Sequence, residues 1–210
     1  MIDTIYITGS IYYQEDIISS SKDYNITTPQ DVRDQIENVS TEKVLLQVGS
    51  DGGNILAASE MYYDLINSGL DIHTVGVNRI GSVATVLFLL PDDINKRKVA
   101  KGTKAYIHAP VSYTQGNFKS HLLRAKTLAG FTDMFSDFYA SKLNKTSEEV
   151  VDIMLNDTVW TDKEVVSNGM ASGIVDINYS KDNIENIEMS LSNDQLEKAS
   201  KVLKDLTKTI

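Results

Sequence analysis

Short apolar runs, each closed by glycine or a polar turn, alternate with longer stretches of helical period along most of the chain. Ile5-Tyr6-Ile7 reads as a strand ending at Gly9, and Val44-Leu45-Leu46-Gln47-Val48 as a second, ending in Gly49-Ser50-Asp51-Gly52-Gly53. Apolar runs of this length bounded by turn residues fit buried strands. Further strands are expected over Ile72-His73-Thr74-Val75-Gly76-Val77, Lys98–Ala100, Ala105-Tyr106-Ile107 and Ile174-Val175-Asp176. Between them a helix fits Pro29–Val39, with Thr28 as N-cap and Pro29 at the first helical position. Ile55, Ala58, Met61, Tyr62 and Leu65 share one face of a helix that runs to about Asn67, where Ser68-Gly69 stop it. Long helical segments are predicted over Phe118–Leu143 and Ser147–Leu155, and a short helix over Asp162–Ser167, introduced by Thr161. Strand, turn and helix recurring at short intervals predict an α/β domain with parallel pairing.

Two segments stand outside this alternation. Tyr13–Thr28 is polar and serine-rich, an expected loop or irregular insertion. Beyond Tyr179 the chain turns polar until Ser192, which can cap a helix carrying Leu196, Ala199, Leu203 and Leu206 on one face. The expected organisation is therefore a body over residues 1–180 and a tail over 181–210, whose apolar stripe would dock on the body or on a neighbouring subunit.

Composition narrows the chemistry. The 210 residues are 41% hydrophobic and 23% charged, ordinary values for one domain at roughly 100–200 residues each. Cysteine is absent, which excludes disulfides, a thiolate nucleophile, an iron–sulfur cluster and a thiolate zinc site. A net charge of −9 argues against nucleic-acid binding; Lys96-Arg97-Lys98, Lys101 and Lys104 read as a solvated strand edge. The apolar run Val83–Leu90 stops at Pro91, short of the ~18–20 residues of a membrane span. Met1-Ile2-Asp3-Thr4-Ile5 lacks the basic start and apolar core of a secretory signal, so the cytoplasm is the expected location. No spacing suited to a metal, a P-loop or a dinucleotide is present, and no cofactor is expected.

Two strand-to-helix junctions could carry chemistry. In Gly49-Ser50-Asp51-Gly52-Gly53, glycines allow positive φ and close approach of the backbone to a ligand, though a plain tight turn would look the same. In Ile80-Gly81-Ser82-Val83-Ala84, a serine enters a buried apolar helix, where it is either an N-cap or a nucleophile favoured by the helix dipole. Of the three histidines, His73 and His121 read as structural or surface residues. His108 closes a strand directly before Ala109-Pro110, where an imidazole reaches a cleft at the sheet rim.

Taken together, these segments resemble the Clp protease proteolytic subunit (ClpP) family of self-compartmentalising serine peptidases. Val48-Gly49-Ser50-Asp51-Gly52-Gly53 resembles the family's "INSPGG", and Gly81-Ser82-Val83 falls on its "ASM", whose serine is the nucleophile. Lys96-Arg97 and Ala105-Tyr106-Ile107-His108-Ala109-Pro110 are similar to "KR…VMIHQP", which carries the catalytic histidine. Asp157, in register with Gln115-Gly116, takes the position of the third catalytic residue, ahead of a Thr161–Met170 segment resembling "LSAPEAVEYGL". The match covers about residues 44–176, with a shorter echo at Ile5–Gly9. A rival register would put Thr85 in the serine's place, by matching "S-V-A-T" to the "S-A-A-S" of phage-encoded relatives. The proline of "SPGG" is lost, and Val159 and Trp160 replace the family's Phe and Leu. No counterpart of the family's axial-loop residues is expected before the first strand, and with the Tyr13–Thr28 insertion this is similar to phage and prophage peptidases.

The resemblance implies a ClpP/crotonase-like fold, with repeated β-β-α units, a parallel sheet and a long handle helix. It implies acyl transfer by Ser82, His108 and Asp157, with the amides of Gly53 and Val83 as oxyanion hole, on a polypeptide substrate inside a ring or stacked-ring homo-oligomer. An ATPase unfoldase is a partner of such rings, and the phage-like features put a dedicated one in doubt. Alternatives are a catalytically silent ClpP-like scaffold, a capsid-maturation peptidase of a phage, and an acyl-CoA enzyme of the crotonase group.

Overall fold

The computed structural model describes residues 2–16 and 25–177. The middle of the Tyr13–Thr28 insertion and the whole 181–210 tail, with its expected helix, lie outside the described residues.

Among the described residues, eight strands form a single sheet: β1 (Asp3–Ile11), β2 (Ile26–Thr27), β3 (Lys43–Gly53), β4 (Asp71–Gly81), β5 (Arg97–Ala100), β6 (Lys104–Ile107), β7 (Thr158–Thr161) and β8 (Ile174–Val175). The order is β2-β1-β3-β4-β5-β8, with β6 branching from β4 and β7 pairing β6. Every pairing is parallel except β6–β7, which is antiparallel. Helices α1 (Pro29–Glu37), α2 (Ile55–Asn67), α3 (Ala84–Phe88), α4 (Phe118–Leu143), α5 (Ser147–Leu155) and α6 (Asp162–Ser167) connect them. The parallel α/β architecture is the one expected.

The main core lies between β1, β3 and β4 and the helices. Ile5, Ile7, Leu46 and Val48 from the strands meet Met61 and Leu65 from α2 and Leu87 and Phe88 from α3, all fully buried. Burial of a side chain of this size is worth about 1.5–3 kcal/mol. A smaller cluster of Val75, Val77 and Ala100 packs with Leu45, Val175 and Ile177.

Helix ends follow local chemistry. Thr28, Thr146 and Thr161 each close a capping box, with Asp31, Glu149 and Glu164 respectively. Asn117 caps α4, and Asn144 ends it in the left-handed conformation with φ 53°. Only the second half of α4 is buried, through Phe135, Ser136, Tyr139 and Leu143. Its first half projects from the body with Phe118 and Leu123 exposed.

Three expectations need correction. The glycine segment is not a free turn after a five-residue strand: β3 continues in the ladder to Gly53, with a register shift between Val48 and Ser50. β4 likewise extends past Val77 to Gly81, kinked at Asn78 with φ 55°. Arg97 is not on a solvated edge; it is 1% exposed, and only its Nη2 finds an acceptor, the Lys142 carbonyl at 3.4 Å. Lys96 does lie at the surface, where it pairs Asp71 at 2.5 Å.

Gly53 is held by packing against β1. With φ +151°, it would bring an added Cβ to 2.2 Å from the Ile11 carbonyl oxygen, whereas Gly69 has only open space around it. Gly53→Ala is therefore expected to lose about 3 kcal/mol and Gly69→Ala about 1 kcal/mol, read from urea midpoints. Equal midpoints would contradict this packing.

Candidate active site

β4 and β6 bring the two chemical segments together. Their parallel register pairs Ile80 with Ala105 and Gly81 with Tyr106. The Ser82 amide continues this pairing by donating to the Tyr106 carbonyl at 2.8 Å. The chain then turns sharply: Ser82 has φ 53°, in the left-handed region that non-glycine residues seldom occupy. Ser82 is not the cap of α3. Val83 occupies that position without a side-chain bond. Ser82 Oγ instead lies 2.8 Å from His108 Nε2. With Nδ1 carrying the ring proton, Nε2 accepts from the serine hydroxyl, the arrangement a general base needs.

Gly52 makes the turn possible. With φ +90°, an added Cβ there would stand 2.7 Å from the Gly81 carbonyl oxygen, 2.8 Å from Ser82 Cβ and 3.1 Å from Val83 N. The two glycine-bearing junctions thus touch, as two walls of one site. The Val83 N–H donates to no other group among the described residues. Ile55, Ser82, Val83, His108, Phe135 and Tyr139 line a narrow cleft over the serine.

β7, which sequence patterning missed, brings the third residue near. Its antiparallel register sets Ile107 opposite Thr158, so the next step of the ladder sets His108 opposite Asp157. Asp157 has φ 48° and is exposed. It forms neither a hydrogen bond nor a close ion pair with His108, and its charge reaches the imidazole through space. Burial is the larger influence and lowers the His108 pKa below 6.5, while the Asp157 charge opposes it. The Tyr106 phenol is pushed up, first by burial and then by Asp157.

The remaining histidines stand apart: His73 faces Asp71 at 3.6 Å, and His121 lies exposed on α4. Among the described residues, no group of three or more potential metal ligands comes together, and no helix is long and apolar enough to cross a membrane.

Thr85 is fully buried. Its hydroxyl donates to the Ser82 carbonyl at 2.6 Å and lies in short contact with the Tyr139 hydroxyl. Burial pushes the Tyr139 pKa up to about 12, so the phenol stays protonated and can donate to Thr85. Neither Tyr106 nor Tyr139 stood out as a site residue in the sequence. For Tyr106 a signal was present, since it lies two residues before His108, which the strand alternation carried one step past β6 puts on the same face.

Comparison with known proteins decides the family. Residues 4–178 match the family described as Clp protease. The chain belongs to the Clp protease family. One relative is the ATP-dependent Clp protease proteolytic subunit 2 of Tropheryma whipplei (strain Twist), 27% identical over 133 residues, covering 63% of this chain and 73% of the relative. This Clp protease family member thus keeps the expected fold and, from its family, a ClpP-like peptidase character.

Removing the Thr85 hydroxyl leaves a buried phenol without an acceptor. Thr85→Val is expected to cost about 2 kcal/mol and Tyr139→Phe about 1 kcal/mol, measured by denaturant unfolding. A Thr85→Val cost no greater than that of Tyr139→Phe would overturn this bonding order.

Proposed function

We propose that the protein is a serine endopeptidase that hydrolyses peptide bonds through an acyl-enzyme. The observation that carries this reading is the 2.8 Å approach of Ser82 Oγ to His108 Nε2. In the proposed reaction Ser82 Oγ bonds to the peptide carbonyl carbon as its proton passes to His108 Nε2. The carbonyl oxygen takes up the electron pair, and the amides of Gly53 and Val83 receive the resulting oxyanion, each such donor being worth roughly 3–4 kcal/mol. Collapse breaks the C–N bond, and His108 returns the proton to the leaving amine. Water then enters by the same base and releases the acyl group. Asp157 is the third member, favouring the imidazolium that forms in each step. Thr85, buried and bonded on both sides, is a support for the Ser82 turn in this scheme rather than a nucleophile.

The substrate class is polypeptide, and the site lies in a cytoplasmic homo-oligomeric ring. Support for assembly comes from the exposed apolar side chains of Val111, Tyr113, Phe118 and Leu123, around and along the projecting half of α4. The relative's name carries an ATP-dependent activity, so an ATPase unfoldase is the kind of partner to test. A second reading, a catalytically silent ClpP-like assembly or scaffold subunit, draws on the open Asp157–His108 contact.

A fluorophosphonate probe separates the two. Wild type is expected to be labelled, Ser82→Ala not at all, and Thr85→Ala to retain labelling. Unlabelled wild type, or equal labelling of Ser82→Ala, would refute the assignment, and a ring by light scattering without labelling would favour the silent subunit. The labelling rate reads pH as well. The base must be neutral, so the rate is expected to rise with pH and reach half its maximum below the ordinary histidine value of 6.5. Asp157→Asn removes a charge that favours the imidazolium, moving that midpoint lower still while slowing the reaction at every pH. An unmoved midpoint would remove Asp157 from the scheme.

A further inference from the structure

Tyr106 touches the site from a direction that none of the roles above uses. Its ring lies flat against the His108 imidazole, with centroids 4.7 Å apart and planes inclined by 12°. Its carbonyl holds the Ser82 amide at 2.8 Å. Across the β6–β7 ladder Tyr106 is paired with Val159, two residues beyond Asp157. One residue therefore contacts the serine through its backbone and the histidine through its ring, and has the aspartate beside its phenol.

We propose that Tyr106 is a positioning residue for His108, whose stacked ring fixes the plane of the imidazole and stabilises the imidazolium formed when Ser82 gives up its proton. The inference rests on the serine peptidase reading. Two physical effects support it. Stacking on a flat ring removes rotation about the last torsion of His108, which would otherwise swing Nε2 away from Ser82 Oγ. The π face of a tyrosine attracts a cation lying over it. The stabilisation therefore grows as the proton arrives, which is the condition for speeding a reaction. With Asp157 making no hydrogen bond to the ring, the tyrosine supplies both the orientation and part of the charge stabilisation that a bonded carboxylate would provide. The titratable groups facing His108 are Tyr106 on β6, Asp157 ahead of β7 and Tyr139 on α4 across the cleft. Burial holds Tyr139 protonated to about 12, leaving Asp157 as the fixed charge.

The test uses the full chain, in its assembled form, with histidine labelled with carbon-13 at Cε1. In wild type the His108 Hε1 resonance is expected upfield of the other two histidines, through the ring current of Tyr106. Tyr106→Phe keeps this shift and the His108 titration, and its saturating rate of fluorophosphonate labelling stays within about twofold of wild type. Tyr106→Leu abolishes the upfield shift, lowers the His108 pKa and slows saturating labelling by about three- to tenfold, with half-saturation unchanged. An unshifted His108 resonance in wild type overturns the proposal even if Tyr106→Leu fails to fold. So does a Tyr106→Leu protein with wild-type titration and rate, or a Tyr106→Phe protein as impaired as Tyr106→Leu. Wild type that shows the ring-current shift but takes no label refutes the peptidase reading and leaves the stacking contact standing.

Discussion

The parallel pairing of β4 with β6 is the constraint on which the site depends. It involves three residues on each strand, Arg79–Gly81 against Lys104–Tyr106, yet it decides where both chemical side chains begin. Because Gly81 is paired with Tyr106, Ser82 directly follows one strand and His108, two residues beyond Tyr106, directly follows the other. The Ser82 amide bond to the Tyr106 carbonyl extends the same ladder by one step. β4 can reach β6 only by changing partner. It pairs with β5 over Thr74–Gly76, kinks at Asn78, and then pairs with β6. A shift of one residue in this register would turn Ser82 or His108 to the opposite face of the sheet.

The left-handed turn at Ser82 follows from that constraint and needs its own support. An L-residue at φ 53° costs of order 1–3 kcal/mol and persists only where its surroundings hold it. Gly52 leaves room on one side, where any side chain would collide with Gly81 and Ser82. Thr85 holds the other, with its hydroxyl donating to the Ser82 carbonyl and meeting Tyr139 of α4. The Ser82 backbone is therefore tied through two hydroxyls to the long helix. The other half of that helix is exposed and carries Phe118 and Leu123.

Much of this was legible in the sequence where local chemistry decides the outcome. The bounds of α4, α5 and α6 agree with expectation at both ends, because Asn117, Thr146 and Thr161 are caps and Asn144 is a left-handed stop. The meeting of Ser82 with His108 followed from family spacing, which local pattern alone could not supply. What stayed hidden was set by tertiary pairing. β7 has four residues, with Trp160 buried and Val159 exposed, too short an alternation to register as a strand without β6 beside it. Gly49–Gly53 reads as a turn by composition, and only its pairing with β1 and β4 keeps it in the ladder. Arg97 reads as a surface cation, but its side chain is buried and reaches the Lys142 carbonyl near the C-terminal end of α4.

The electrostatics of His108 tie these pieces into one requirement. In the proposed reaction His108 must be neutral when it accepts a proton and must tolerate the charge once it has arrived. Burial meets the first condition, favouring neutral imidazole, but acting alone it would oppose the second. The Asp157 charge and the flat Tyr106 ring both favour the cation. Neither needs a hydrogen bond to Nδ1 to exert that influence. The ring comes from β6 itself and the carboxylate from the residue just before its neighbour β7. A four-residue strand thus sets the distance to the serine, the plane of the imidazole and the balance of its charge. In a chain with no cysteine and three histidines, that strand supports the one serine–histidine pair found among the described residues.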